Sequence, residues 1–138
     1  MTVLEETELR VSLMKVTRRL RAEKSDTELT DSQMSVLSVL DRGGPLTPRA
    51  LADYERVQPP SMTRTLAALA ERGLVDRAPD PGDGRQIIVR ITDSGAAAVT
   101  ATRRQRDAWL AQQLADLDPD ERAVLARASQ ILRRIADS

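Results

Sequence analysis

The sequence predicts a mainly helical fold carrying one small β-hairpin, and three observations support that prediction. Hydrophobic residues make up 41% of the 138-residue chain, yet Phe is absent and Trp109 and Tyr54 are its aromatics, so the core must be aliphatic. Helix-start signals stand ahead of apolar residues at helical spacing in several places. Between Leu74 and Ile91 the pattern changes to aliphatic and β-branched segments flanking a stretch dense in turn formers.

The elements follow in order. Leu9, Leu13, Val16 and Leu20 recur at i, i+4, i+7 and i+11, which predicts an amphipathic helix from about Glu5 to Arg21. Thr30 with Gln33 three residues on forms a capping box, Leu29 and Met34 can close a hydrophobic staple, and the helix that follows turns Met34, Val36, Leu37 and Leu40 inward. Gly43-Gly44-Pro45 ends it. Leu46-Thr47-Pro48 starts a short third helix to about Tyr54, with Thr47 as cap and Pro48 preset at the first helical position. Pro59-Pro60 opens a fourth helix that runs to Arg72, where Gly73 stops it.

Leu74-Val75 and Gln86 to Ile91 then flank Pro79-Asp80-Pro81-Gly82-Asp83-Gly84, a hairpin with a long polar tip. Thr92-Asp93-Ser94-Gly95 punctuates the return to helix, and a long polar helix extends from about Ser94 to Ala115. Asp118-Pro119-Asp120-Glu121 is a second capping box, and Val124, Ala128, Ile131 and Ile135, widened by Leu125 and Leu132, give the last helix an apolar face. No repeat, low-complexity linker or domain break interrupts residues 1–138, so one domain is expected.

Composition narrows the function. Neither cysteine nor histidine occurs, which removes disulfides, thiolate nucleophiles, imidazole bases and the usual zinc or haem ligands, so no metal or cofactor is expected. The 21 basic side chains offset 21 acidic ones, so an anionic partner has to be met by local charge. No apolar run approaches the about 20 residues needed to span a bilayer, and Met1 to Arg10 is acidic, unlike a basic leader, so a cytoplasmic protein without a membrane partner is expected. An enzyme would have to work through carboxylate pairs. Asp80 with Asp83 lies in a turn-rich tip and Asp118 with Glu121 reads as a cap, so neither suggests a dry acid–base site and no enzymatic activity is expected.

From about residue 30 to 92 the order helix, short helix, helix, hairpin is that of a winged helix-turn-helix, in which the second helix of the pair faces the DNA major groove. The flanking parts, about 1–29 and 93–138, carry apolar stripes that one small module could not cover, which predicts N- and C-terminal dimerisation helices and a homodimer. Three stretches stand out: Leu46-Thr47-Pro48-Arg49-Ala50-Leu51-Ala52, the run from Pro60-Ser61-Met62-Thr63-Arg64-Thr65-Leu66 through Leu69-Ala70-Glu71-Arg72-Gly73-Leu74-Val75-Asp76-Arg77, and Asp83-Gly84-Arg85 leading to Ile91-Thr92-Asp93-Ser94-Gly95. Together, in this order, they resemble the multiple-antibiotic-resistance regulator (MarR) family of bacterial winged-helix repressors. The resemblance implies a triangular dimer with interleaved terminal helices, two winged modules on a pseudo-palindromic operator, and release by a small aromatic or anionic effector. Arg18, Arg21 and Trp109 are candidates for lining an effector pocket.

On the fourth helix Met62, Leu66 and Leu69 share an inward face, and Ser61, Arg64, Thr65, Ala68 and Arg72 lie on or near the other. Small side chains let that helix approach bases closely, and Arg64 can fork onto guanine O6 and N7 or clamp a phosphate. Thr47, with the amides that open the third helix, and Arg49 beside it suit a phosphate. The hairpin tip can enter a minor groove, where Arg85 meets the strongest negative potential and Asp83 orients it; the resemblance assigns Asp83 and Arg85 as this pair. Arg77 and Arg90 are expected at strand ends, supporting the hairpin or touching phosphate. Between Arg64 and Arg90, Glu71, Asp76, Asp80 and Asp83 nearly cancel the arginines, so the acids are expected in intramolecular pairs with the arginines turned outward. The near-neutral charge also permits an alternative, a winged-helix protein-interaction module that does not bind DNA.

Overall fold

The computed structural model describes residues 3–23 and 28–138. Its element order is α1 (Glu6–Ala22), α2 (Asp31–Gly43), α3 (Pro48–Glu55), α4 (Pro59–Glu71), β1 (Val75–Pro79), β2 (Ile87–Ile91), α5 (Asp93–Leu114) and α6 (Pro119–Ala136). Mainly helical structure around one antiparallel hairpin is therefore what this chain adopts.

The caps read from sequence are present. The Thr30 hydroxyl accepts the Gln33 amide at 3.1 Å and the Gln33 side chain accepts the Thr30 amide at 3.1 Å, closing the first capping box. Thr47 accepts the Ala50 amide, and Asp118 and Glu121 cap each other's amides. Each such cap stabilises its helix by about 1 kcal/mol. Arg56 takes the left-handed conformation, φ 55°, which ends α3 and turns the chain into α4 within three residues. Gly73, φ 72°, ends α4 in the same way, so that the Leu74 amide returns to the Leu69 carbonyl.

The core sits in the middle of the chain. Leu37 of α2, Leu51 of α3, Leu69 of α4, Val89 of β2 and Val99 of α5 are all 0% exposed, so five elements meet on one aliphatic cluster. Leu46 exchanges backbone hydrogen bonds with Val89 in both directions, at 3.1 and 2.8 Å, which sews the start of α3 to the hairpin. The hairpin and the start of α3 are thereby tied together. The first half of α5 enters this core through Gly95, Ala98, Val99 and Thr102; none of its residues beyond Thr102 is buried.

Two details depart from the sequence reading. β1 continues through Arg77 and Ala78 to Pro79, so Arg77 is mid-strand and the turn begins later than expected. Only Val75 of that strand is buried, so it carries no alternating apolar pattern to be read, and Pro79 is tolerated because it closes the strand. Gly95, expected as punctuation, lies inside the first turn of α5. A Cβ there would overlap the Leu74 carbonyl oxygen and stand 2.7 Å from Ile91 Cγ1, so glycine is what lets α5 press onto the base of the hairpin.

Neither α1 nor α6 contributes a buried residue. Their apolar stripes form as the periodicity predicted but lie open within one protomer, with Val124 at 67% and Ile135 at 60% exposure.

Candidate nucleic-acid interface

Three elements bring basic and small polar side chains to one region. The start of α3 and the start of β2 border an open groove of about 530 Å³ lined by Thr47, Arg49, Asp53, Arg85, Gln86 and Ile87. Residues from separate motifs, Arg49 and Arg85, are thereby brought together, as the Leu46–Val89 bridge dictates. The Thr47 oxygen accepts the Ala50 amide, which leaves its proton free to donate to an oxyanion at the positive end of α3. Capping and phosphate binding are compatible in this residue. Asp53, one turn beyond Arg49, brings a negative charge into the same groove, and the i, i+4 spacing on α3 is the signal that would have found it.

The wing tip is ordered by its own aspartates. Asp80 accepts the Gly82 amide at 2.9 Å and Asp83 accepts the Arg85 amide at 3.0 Å, while the Asp80 amide donates to the Gln86 carbonyl at 2.8 Å. Asp83 thus positions Arg85 through its backbone, and the exposed guanidinium is directed by the turn itself. Of the four acids expected in intramolecular pairs, Asp80 and Asp83 are taken up by main-chain amides, while Glu71 and Asp76 lie exposed. Asp76 stands opposite Arg90 in the strand register, with both exposed. Arg77 is exposed from the middle of β1.

On α4, Met62 and Leu66 are each 2% exposed and Leu69 is closed off, so the inward face is as predicted. The outward face is rotated from the expected one. Arg64 is exposed, but Ser61, Thr65 and Ala68 are half-buried, whereas Pro60, Thr63, Ala67 and Glu71 are exposed. The cause is angular. At about 100° per residue, the direction opposite Met62, Leu66 and Leu69 passes through Pro60, Arg64, Ala67 and Glu71, and that rule applied strictly would have found Ala67 and, at the edge, Thr63. Thr65 donates its hydroxyl to the Ser61 carbonyl at 3.1 Å, and Arg64 Nη2 donates to Ser61 Oγ at 3.3 Å. Ser61 therefore steadies Arg64 while leaving its other donors available.

A second polar region lies away from this surface, where α1, α2 and α5 meet. Arg21, Arg42, Arg103 and Arg106 border a cleft of about 360 Å³ together with Asp31. Arg103 pairs with Asp41 at 3.4 Å and Arg106 with Asp31 at 3.7 Å, and Arg106 Nε is buried without a partner. Arg18 and Arg21 line an adjoining cleft of about 420 Å³ on α1. Trp109 instead carries Arg19 over its ring at 5.3 Å from the centroid. Among the described residues no cluster of carboxylates is placed to hold a metal ion, and no helix is long and apolar enough to cross a membrane.

Comparison with known proteins bears on this surface. The model of the MarR family matches residues 27–86, from the approach to α2 through the wing tip. The multiple antibiotic resistance protein MarR of Salmonella typhimurium is 32% identical over 102 residues, covering 73% of this chain and 71% of that protein. The chain belongs to the MarR family. An uncharacterised HTH-type transcriptional regulator of Mycobacterium bovis is 45% identical over 130 residues, 94% of this chain and 91% of its own. A cysteine-to-serine mutant of Escherichia coli MarR superimposes with a TM-score of 0.80 at 27% identity, covering 99% of both chains. The same mutant complexed with operator DNA superimposes at 0.66 with 28% identity, covering 91% of both. This MarR-family winged-helix protein is therefore a helix-turn-helix transcriptional regulator and not an enzyme.

Proposed function

We propose that this MarR-family protein is a sequence-specific repressor that binds a pseudo-palindromic operator as a homodimer and is released by a small aromatic or anionic effector. The observation that carries the reading is the joint presentation of Arg64 on the open face of α4 and of Arg49 and Arg85 around one groove, all on a single packed body. Arg64 enters the major groove, Thr47 and Arg49 hold backbone phosphate, and Arg85 reaches the adjacent minor groove. Ser61, Thr65 and Ala68 pack at the edge of the reading helix and Asp83 shapes the wing. Residues 30–92 form the reading part, and 1–29 with 93–138 form the pairing part, in a protein that works in the cytoplasm.

Pairing is supported by the bare apolar faces of α1 and α6, which a second copy would cover with like surface. The effector reading is supported by the cleft at α1, α2 and α5. An anion there competes with Asp31 and Asp41 for Arg106 and Arg103, the pairs that bridge α2 and α5 beside their shared core. Loosening them lets the reading body shift relative to the pairing helices, which changes the distance between the two reading helices.

The near-balance of charge favours a second reading, a winged module that binds protein without touching DNA. Band-shift titration against the region upstream of its own gene, with excess nonspecific DNA, decides between them. A shifted band that survives competitor and weakens steeply with salt is expected. Binding that competitor abolishes completely at every salt concentration refutes the operator reading.

A further inference from the structure

We infer that α4 selects a half-site in which the guanine met by Arg64 is flanked by thymines, whose C5 methyl groups seat against Thr63 and Ala67. The inference rests on the operator-binding reading and deepens it by naming the bases and two residues that specify them.

The exposed surface of α4 is divided lengthwise. Pro60, Thr63 and Ala67 fall at i, i+3 and i+7 on one side of Arg64, all exposed, and none of the three carries a charge. Thr63 looks like a polar reader but has no proton to offer. Its hydroxyl donates to the Pro59 carbonyl at 3.0 Å, so what it can present to a partner is a methyl group and a lone pair. Ala67, one turn further on, presents a methyl alone. The strip beside Arg64 thus presents methyl groups, a single acceptor and no donor.

In the major groove the thymine C5 methyl is the base-edge group that such a strip fits. Cytosine and adenine offer amino donors and guanine offers acceptors, and Ala67 and the engaged Thr63 cannot satisfy guanine's acceptors. Four residues of helix advance about 6 Å, so the two methyls reach neighbouring or next-neighbouring bases spaced about 3.4 Å apart. Glu71, exposed at the far end of the same face, repels phosphate and keeps that end away from the duplex. Reading therefore falls to the first two and a half turns of α4, where Pro60, Thr63, Arg64 and Ala67 lie.

The test uses the full-length protein to select duplexes from a randomised double-stranded library in the presence of nonspecific competitor. The selected duplex is then remade with each thymine replaced singly by deoxyuridine, which removes the methyl and keeps the base pair. Deoxyuridine beside the guanine that Arg64→Ala ceases to discriminate is expected to weaken binding about fourfold per methyl. Thr63→Ser should weaken binding to the thymine duplex by a similar factor and erase the effect of deoxyuridine at one position, while Thr63→Val, which keeps the methyl, should preserve it. Indifference to deoxyuridine at every position beside that guanine, or a full deoxyuridine effect in Thr63→Ser, overturns the inference while leaving operator binding intact. A library that yields no enriched sequence overturns operator binding itself, and the thymine contacts with it.

Discussion

Replacing Gly95 by alanine tests whether the close seat of α5 on the hairpin sets the geometry of the whole reading body. The added methyl would occupy the place of the Leu74 carbonyl oxygen and approach Ile91 Cγ1 to 2.7 Å, and the first of these obstacles is main chain, which cannot rotate away. Overpacking of this kind costs about 1 to 3 kcal/mol. The first turn of α5 must also lift, which strains the Thr92 hydroxyl in its two roles, donating to the Gly73 carbonyl at 2.7 Å and accepting the Gly95 amide at 3.1 Å; each bond contributes about 1 kcal/mol. Against this, alanine in a helix gains about 1 kcal/mol over glycine. The net expectation is a loss of about 2 kcal/mol. With a urea slope of about 2 kcal/mol per molar, the unfolding midpoint falls by about 1 M at fixed protein concentration. Gly84→Ala is the control, because nothing lies within 4 Å of a Cβ there. A Gly95→Ala midpoint equal to or above that of the parent chain refutes the close-seat argument.

Other predictions concern the surface and the ends. Arg85→Ala should weaken binding to all operators alike and lower the slope of log affinity against log salt by about 1, measured by fluorescence anisotropy; an unchanged slope and affinity removes Arg85 from the interface. Arg64→Ala should cost about 1 to 3 kcal/mol of discrimination at one base pair per half-site, visible as a flattened preference across a mutated-operator panel, whereas a uniform loss makes it a positioning residue. Ile135→Glu changes a side chain 60% exposed in one protomer, so it should leave the fold's circular dichroism intact while shifting sedimentation equilibrium toward single chains, and an unaltered association state argues against pairing through α6.

Much of the architecture was legible because it is locally encoded. Thr30, Thr47 and Asp118 cap their helices as read, because a capping box needs only residues three apart in sequence. The apolar faces of α1 and α6 were also legible from periodicity, and their exposure in one protomer follows from the same stripes having nothing left to cover them. Arg64 and Arg85 stand as candidates from the element order, and Arg49 from its place beside a helix start; the structure leaves Arg64 and Arg85 exposed and puts Arg49 and Arg85 on one groove.

What was hidden depends on neighbours distant in sequence. β1 could not be seen beyond Val75, since Arg77 to Pro79 become strand by pairing with Ile87 to Val89 and not by any pattern of their own. The inward residues Met62, Leu66 and Leu69 of α4 are as the sequence predicts, and the direction opposite them at about 100° per residue passes through Arg64 and Ala67, so Ser61, Thr65 and Ala68 fall toward the edge instead of the centre of the open face. Likewise no local pattern links Arg42, Arg103 and Arg106, yet three helices gather them with Arg21 around one cleft. Residue order alone determined which segments are helix and where each begins. Tertiary packing decided which side of each helix is presented and which distant charges meet, because rotation and approach are settled by contacts that no local stretch contains.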